Sequence, residues 1–150
     1  MRLLTLRPDR VHLAVAALVP FALDILLTSL GQPAGYWAGR YDMVIEANPV
    51  AAALLAVHPG LFLGGAAVYA ALFAGAIYRC PRPVAWWLSV ALLLAHAGGA
   101  RSWLWHFTAH YTVWDGVLNG SLAVLAARCY LRASGPAGRG AGSVPGPPAS

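Results

Sequence analysis

The sequence predicts an all-α membrane protein: a bundle of four transmembrane helices, with a short interfacial or re-entrant helix after the first outer loop. Hydrophobic residues make up 59% of its 150 residues and charged residues only 10%, whereas a soluble domain carries about 25% charged residues. Four apolar segments have roughly the 17–25 residues that cross a bilayer. All ten basic residues are arginines, and they lie at segment ends, as the positive-inside rule predicts.

The chain begins with a basic head at residues 1–10, followed by a first span at residues 11–30. A cleaved signal peptide is the competing interpretation, but its apolar region would be about 7–15 residues long. Residues 11–30 are longer than that and contain Asp24. We therefore interpret the segment as a membrane anchor.

A polar stretch at residues 31–48 forms the predicted first outer loop, and Asn48-Pro49 then opens a short helix at residues 49–57. Asn is a favoured helix cap and Pro a favoured first helical residue. His58-Pro59-Gly60 separates this helix from a second span at residues 61–78. One tilted helix kinked at Pro59 is the alternative.

The third and fourth spans are predicted at residues 84–100 and 113–131. The turn between the second and third spans contains two prolines, which cannot continue a helix. Residues 101–112 are rich in Trp, His and Tyr, a composition typical of the membrane interface. Residues 11–132 thus form one membrane domain, and residues 133–150, mostly small residues and proline, are predicted to be a disordered tail.

The arginine positions predict the orientation. With a cytosolic N-terminus, eight arginines face the cytosol and only Arg40 and Arg101 lie outside. We expect a multi-pass protein of the cytoplasmic membrane with both termini in the cytosol, where Cys80 and Cys129 would stay reduced. Its expected partners are the lipid bilayer and either further copies of itself or other membrane proteins. Nucleic acid is excluded because the arginines form no single patch.

On this topology the remaining polar residues gather near the outer leaflet. Asp24 within a span costs about 2.5–3.5 kcal/mol, so it should face the bundle and find a partner. Carboxylates together with imidazole suit zinc or a similar divalent ion that activates water. We therefore predict catalytic residues and metal ligands at Asp24, Glu46 and His96, and ligand-binding residues at Thr28, Asn48, Asp115 and Asn119.

Several of these residues have a structural interpretation as well. Asp24 could be a buried acid that only fixes helix packing, and Asn48 could be only a helix cap. His106 and His110 have the spacing that puts two imidazoles on one helix face for a metal. Their aromatic neighbours are more typical of an interfacial belt.

Two segments carry a resemblance to a known group. Leu23-Asp24-Ile25-Leu26-Leu27-Thr28 and Glu46-Ala47-Asn48-Pro49 resemble small bacterial and archaeal membrane proteins of unknown function, which have an Asp-x-x-x-Thr first helix and a Glu-x-Asn-Pro signature. The resemblance covers roughly residues 20–60 and implies that Asp24, Glu46 and Asn48 are a linked set. It implies no activity.

The sequence leaves the function open between three hypotheses. The first is an outward-facing polar site that binds a metal or hydrolyses a membrane or extracytoplasmic substrate by acid–base chemistry. The second is a small proton-coupled exporter, because Asp24-x-x-x-Thr28 is similar to the Glu-x-x-x-Thr of small multidrug transporters. The third is a non-catalytic assembly or accessory protein. Whether the chain is an enzyme stays undecided at this point.

Overall fold

A computed structural model of the chain describes residues 8–107 and 110–134. Within these ranges all regular structure is helical, so the predicted all-α class is confirmed there. The α-helices are α1 (Pro8–Leu30), α2 (Ala34–Trp37), α3 (Pro49–Val57), α4 (Pro59–Arg79), α5 (Arg82–Phe107) and α6 (Tyr111–Ser134), and a single 3-10 turn covers Tyr41–Met43. The first seven residues of the predicted head and residues 135–150 of the predicted tail lie outside the described ranges.

Three of the described helices, α1, α4 and α5, are long and apolar enough to cross a membrane. The predicted count of four spans therefore differs from the count that the structure supports. Helix α6 has 24 residues, which is long enough, but Asp115, Asn119, Arg128 and Arg132 reduce its hydropathy. Its role as a span stays a prediction.

Helix α1 lies at the centre of the fold and packs against α4, α5 and α6. Near its beginning the packing includes hydrogen bonds. The Ser89 hydroxyl, fully buried on α5, donates to the Leu13 carbonyl oxygen at 2.7 Å and lies 3.2 Å from the Tyr130 hydroxyl of α6. Buried Arg10 donates from Nη1 to the Ile77 carbonyl oxygen at 2.9 Å, which satisfies an acceptor in the last turn of α4.

His58 separates α3 from α4. Its backbone is extended, with φ of −173°, and its Nδ1 accepts a hydrogen bond from the Gly60 amide at 2.9 Å. Residue 58 thus ends one helix and caps the next, so residues 49–79 are two helices and the alternative of one kinked helix is wrong. The short helix α3 has the bounds that the sequence predicts.

The loop between α1 and α3 packs on its own small core of Tyr36, Leu55 and Phe62. The Tyr36 hydroxyl donates to the Leu55 carbonyl oxygen at 3.1 Å. Burial raises the pKa of the Tyr36 phenol, and neighbouring Tyr41 raises it further, so this donor keeps its proton at neutral pH. This contact ties α2 to α3.

Helix α5 continues to Phe107, seven residues past the predicted end of the third span. The predicted outer loop at residues 101–112 is therefore largely helical. Aromatic residues favour the interface but do not stop a helix, and proline is absent from residues 101–112. Within this extension Trp103 is buried.

Candidate functional site

Two glycines allow α1 and α5 to approach closely. A Cβ atom at Gly99 would lie 2.5 Å from Oδ2 of Asp24, and one at Gly31 would lie 2.3 Å from the Trp103 ring. Both separations are shorter than any van der Waals contact. Small residues at helix contacts in membranes permit this kind of backbone approach. Gly99 therefore lets the carboxylate of Asp24 fit between the two helices.

Asp24 and His96 form a partly buried pair at this contact. Nδ1 of His96 lies 2.9 Å from Oδ2 of Asp24, with 16% and 17% of the two side chains exposed. Nε2 of His96 lies 3.3 Å from the hydroxyl of Tyr69 on α4. With an ionised Asp24, Nδ1–H donates to the carboxylate and Nε2 accepts from the Tyr69 hydroxyl.

Aromatic rings fix the orientation of this imidazole. The Phe21 ring meets His96 edge-on, with centroids 4.9 Å apart, and stacks on Tyr69 at 5.2 Å. Such pairs restrict the rings to few orientations. The sequence analysis missed Phe21 and Tyr69, because an aromatic residue in an apolar span has no pattern that separates a site residue from ordinary packing.

Gln32 attaches the loop between α1 and α3 to the end of α1. Its Nε2 donates to the carbonyl oxygens of Thr28 at 3.0 Å and Ile45 at 2.8 Å, and its Oε1 accepts from the Ile45 amide at 2.9 Å. The side chain is buried. Glu46 follows directly, so Gln32 determines where that carboxylate lies. Sequence reasoning missed this role; the only signal was a lone amide side chain just after a span.

Glu46 and Asn48 are linked at the start of α3. Oε1 of Glu46 accepts from the backbone amide of Asn48 at 2.7 Å. Oδ1 of Asn48 accepts from the amides of Val50 at 3.0 Å and Ala51 at 3.3 Å. Asn48 therefore caps α3. Both Asn48 and Glu46 also line a cavity.

A cavity of about 600 Å³ lies between α1, α3, α4 and α5. It brings together five of the seven predicted site residues, which are Asp24, Thr28, Glu46, Asn48 and His96. Most of the remaining wall is apolar or aromatic, and it includes residues that the sequence analysis did not select, among them Phe21, Leu54, Phe62, Tyr69 and Trp103. Concave, largely apolar sites with a few convergent polar groups are typical of ligand binding.

Asp115 and Asn119, the other two predicted residues, do not line this cavity. Nδ2 of Asn119 donates to Oδ1 of Asp115 at 2.8 Å, as their spacing on one helix face predicts. The same oxygen lies 3.0 Å from Nε of Arg101. These residues connect α6 to the C-terminal part of α5, and the structure does not bring them to the predicted site.

The predicted metal ligands do not assemble. Among residues 8–107 and 110–134, no group of three or more His, Cys, Asp or Glu side chains is placed to hold a metal ion. Asp24, Glu46 and His96 line one cavity, but both ring nitrogens of His96 already face protein partners. His106 lies in the last turn of α5 and His110 just before α6, so the two histidines do not share one described helix; a metal between them stays a prediction. The His106 ring packs instead against Trp103.

Comparison with protein-family models, curated proteins and solved structures finds no match. The resemblance of residues 20–60 to small membrane proteins therefore stays a prediction.

The arrangement has a definite chemical capacity. A carboxylate bonded to one imidazole nitrogen fixes the ring and stabilises its protonated form, which lets the other nitrogen take and return a proton. In this site the second nitrogen faces Tyr69, whose hydroxyl can pass a proton or be displaced by a bound molecule. A largely apolar wall surrounds the pair, and electrostatic effects of this kind are stronger beside apolar groups than in bulk water.

Proposed function

We propose that this protein is a membrane-embedded acid–base enzyme that hydrolyses a lipophilic substrate in the cavity between α1, α3, α4 and α5. The observation that carries the proposal is the 2.9 Å contact between Nδ1 of His96 and Oδ2 of Asp24 at the wall of that cavity. An imidazole held in this way by a carboxylate is suited to general-base catalysis. The apolar lining favours a substrate that partitions into lipid.

In the proposed reaction, Nε2 of His96 takes a proton from a water molecule as the water attacks the substrate's carbonyl carbon. The imidazolium is stabilised by Asp24 and then gives the proton to the leaving group. The Tyr69 hydroxyl, 3.3 Å from Nε2, would donate a hydrogen bond to the oxygen that gains negative charge. His96 is therefore the catalytic residue, Asp24 positions it, and Tyr69 stabilises charge.

We further propose that α6 is a fourth span and that both termini are cytosolic in the cytoplasmic membrane. At 1.5 Å per residue its 24 residues give about 36 Å, against a hydrocarbon core of about 30 Å. Val113, Val117, Val124 and Leu131 are all more than half exposed, and their spacing puts them on one helix face. Lipid would cover that face. With α6 as a span, eight arginines stay inside and two outside.

The hydrolysis proposal can be tested in lipid nanodiscs with 4-nitrophenyl esters of short and long acyl chains. We expect release of 4-nitrophenol from the long-chain ester, reduced by about 10²-fold or more in His96→Ala and reduced in Asp24→Asn. His12→Ala is the matched control, because His12 lies about 18 Å from Asp24 along α1 and its Nδ1 faces the Pro8 carbonyl oxygen of its own helix. A wild-type rate no higher than that of His96→Ala would contradict the proposal.

A further inference from the structure

We infer that the cavity selects an amphiphile with a cationic head, an alkylamine or alkyl quaternary ammonium, over an anionic amphiphile with the same chain. The inference rests on the proposed function for its location, since it names the head group of the amphiphile that the same cavity takes; a substrate would carry this head in addition to the acyl bond that is hydrolysed.

Among the described residues that line the cavity, those with acidic or imidazole side chains are Glu46, Asp24 and His96. Glu46 contributes one negative charge when ionised. The Asp24–His96 pair contributes one more or none, depending on whether the pair holds a second proton. With Glu46 ionised, the sum is negative in both states of the pair.

No arginine lies among the described residues that line the cavity, and the chain has no lysine. The two arginines predicted on the outer side are engaged elsewhere. Nε of Arg101 lies 3.0 Å from Asp115, and the guanidinium of Arg40 lies against Gly35. A phosphate or carboxylate head would therefore enter a negative, largely apolar space with no counter-charge, which is strongly unfavourable.

A cationic head meets the opposite situation. Glu46 supplies a counter-charge at the start of α3, and the aromatic side chains of Phe21, Tyr69 and Trp103 line the same space. Aromatic faces attract ammonium groups, and desolvation strengthens the attraction. The site thus has both components of a receptor for an organic cation.

The rest of the wall fits an alkyl chain. Ile25, Val50, Leu54 and Phe62 line the cavity without polar side-chain atoms. The volume of about 600 Å³ lies within the range of pockets that enclose molecules of drug size. A ligand with its cationic head near the carboxylates and its alkyl chain along these residues would contact both the charged and the apolar parts of the cavity wall.

The test uses two photoreactive probes with the same diazirine-bearing alkyl chain, one with a trimethylammonium head and one with a phosphate head. The full-length protein is placed in nanodiscs of zwitterionic lipid and the labelled peptides are identified by mass spectrometry. We expect saturable labelling of α1, α3, α4 or α5 by the ammonium probe, at least about tenfold above the phosphate probe. Dodecyltrimethylammonium should compete for this labelling.

A matched pair of variants examines the charge argument. Glu46→Gln removes the cavity carboxylate and should reduce the preference severalfold. Asp42→Asn removes the same charge from an exposed position of the same loop that does not line the cavity, and should leave the preference unchanged. Equal labelling of wild type by the two probes, preference for phosphate, or equal effects of the two variants would overturn the inference. The comparison of the two probes on the wild-type protein tests the inference even where a variant folds poorly.

Binding and hydrolysis fail separately in this design. His96→Ala should abolish ester hydrolysis and retain labelling by the ammonium probe, because Glu46 and the aromatic wall remain. A wild-type protein that prefers the ammonium probe but does not hydrolyse the ester would contradict the proposed reaction alone. Ester hydrolysis without cation preference would contradict the inference alone.

Discussion

The substitution Gly99→Ala should separate the geometry of the Asp24–His96 pair from the rest of the fold. The new Cβ atom would lie 2.5, 2.6 and 2.7 Å from Oδ2, Oδ1 and Cγ of Asp24. Ordinary contact begins at 3.4 Å, so the carboxylate or the helix must move by 3.4 − 2.5 = 0.9 Å. Such a movement would disrupt the 2.9 Å contact with His96, because hydrogen bonds of this kind weaken beyond about 3.2 Å. Overpacking of this size costs about 1–3 kcal/mol.

Gly98→Ala is the matched control, since nothing lies within 4 Å of a Cβ atom at Gly98. On helix propensity alone, either substitution should stabilise the helix by up to about 1 kcal/mol. Thermal unfolding in detergent gives the difference between the two variants. NMR of ¹⁵N-histidine-labelled protein, assigned with His96→Ala, reports the hydrogen-bonded Nδ1 proton. We expect its downfield resonance to persist in Gly98→Ala and to disappear in Gly99→Ala. Indistinguishable stability and spectra for the two variants would refute the reasoning.

Three further predictions concern the loop, the metal and the topology. Gln32→Ala removes three hydrogen bonds and should reduce stability by about 1–3 kcal/mol, with faster amide exchange at Ile45; unchanged exchange would mean that Gln32 does not hold the loop. Dialysis against EDTA should leave ester hydrolysis unchanged, because both ring nitrogens of His96 face protein partners and the proposed reaction uses no metal; loss of hydrolysis that zinc restores would contradict this. In a chain with Cys80 and Cys129 replaced by serine, Asp42→Cys should react with an impermeant maleimide on intact cells, and reaction only after lysis would reverse the proposed topology.

The sequence located the long helices and α3, but not α2, because the signals of those helices are local. The apolar segments identify the long helices, Asn48-Pro49 marks the start of α3, and Pro81 directly precedes α5. Each of these signals acts on residues only a few positions away. The end of α5 was predicted too early, because residues 101–107 are polar and aromatic but contain no helix breaker. The same weakness affects α6, whose polar side chains reduce the hydropathy that identifies a span.

The candidate site was partly predictable for a physical reason. Ionisable residues in an apolar span are costly, so Asp24 and His96 could be expected to find partners near each other. The sequence could not show that Tyr69 is the second partner of His96, because that contact depends on how α4 rotates against α5. It also could not separate Asp115 and Asn119 from the cluster. Their position along α6 predicts a depth similar to that of Asp24 and His96. The sequence does not show on which side of the bundle α6 packs.

The two ends of α1 are held to the bundle by different contacts, and only the second end borders the cavity. Near its beginning, α1 is held by Arg10 to α4 and through the Leu13 carbonyl to Ser89 of α5. Near its end, α1 borders the cavity, and there the contact with α5 depends on the Asp24–His96 pair and on Gly31 beside Trp103. Empty volume weakens packing, so we expect the contacts at the beginning of α1, where Leu13, Ala14 and Ala17 are buried in the core, to hold this helix to the rest of the bundle. Ser89→Ala should therefore destabilise the whole bundle, by about 1–3 kcal/mol, and leave the cation preference of the cavity unchanged. A variant of Ser89 that lost cation preference at full stability would show that the two ends of α1 are coupled.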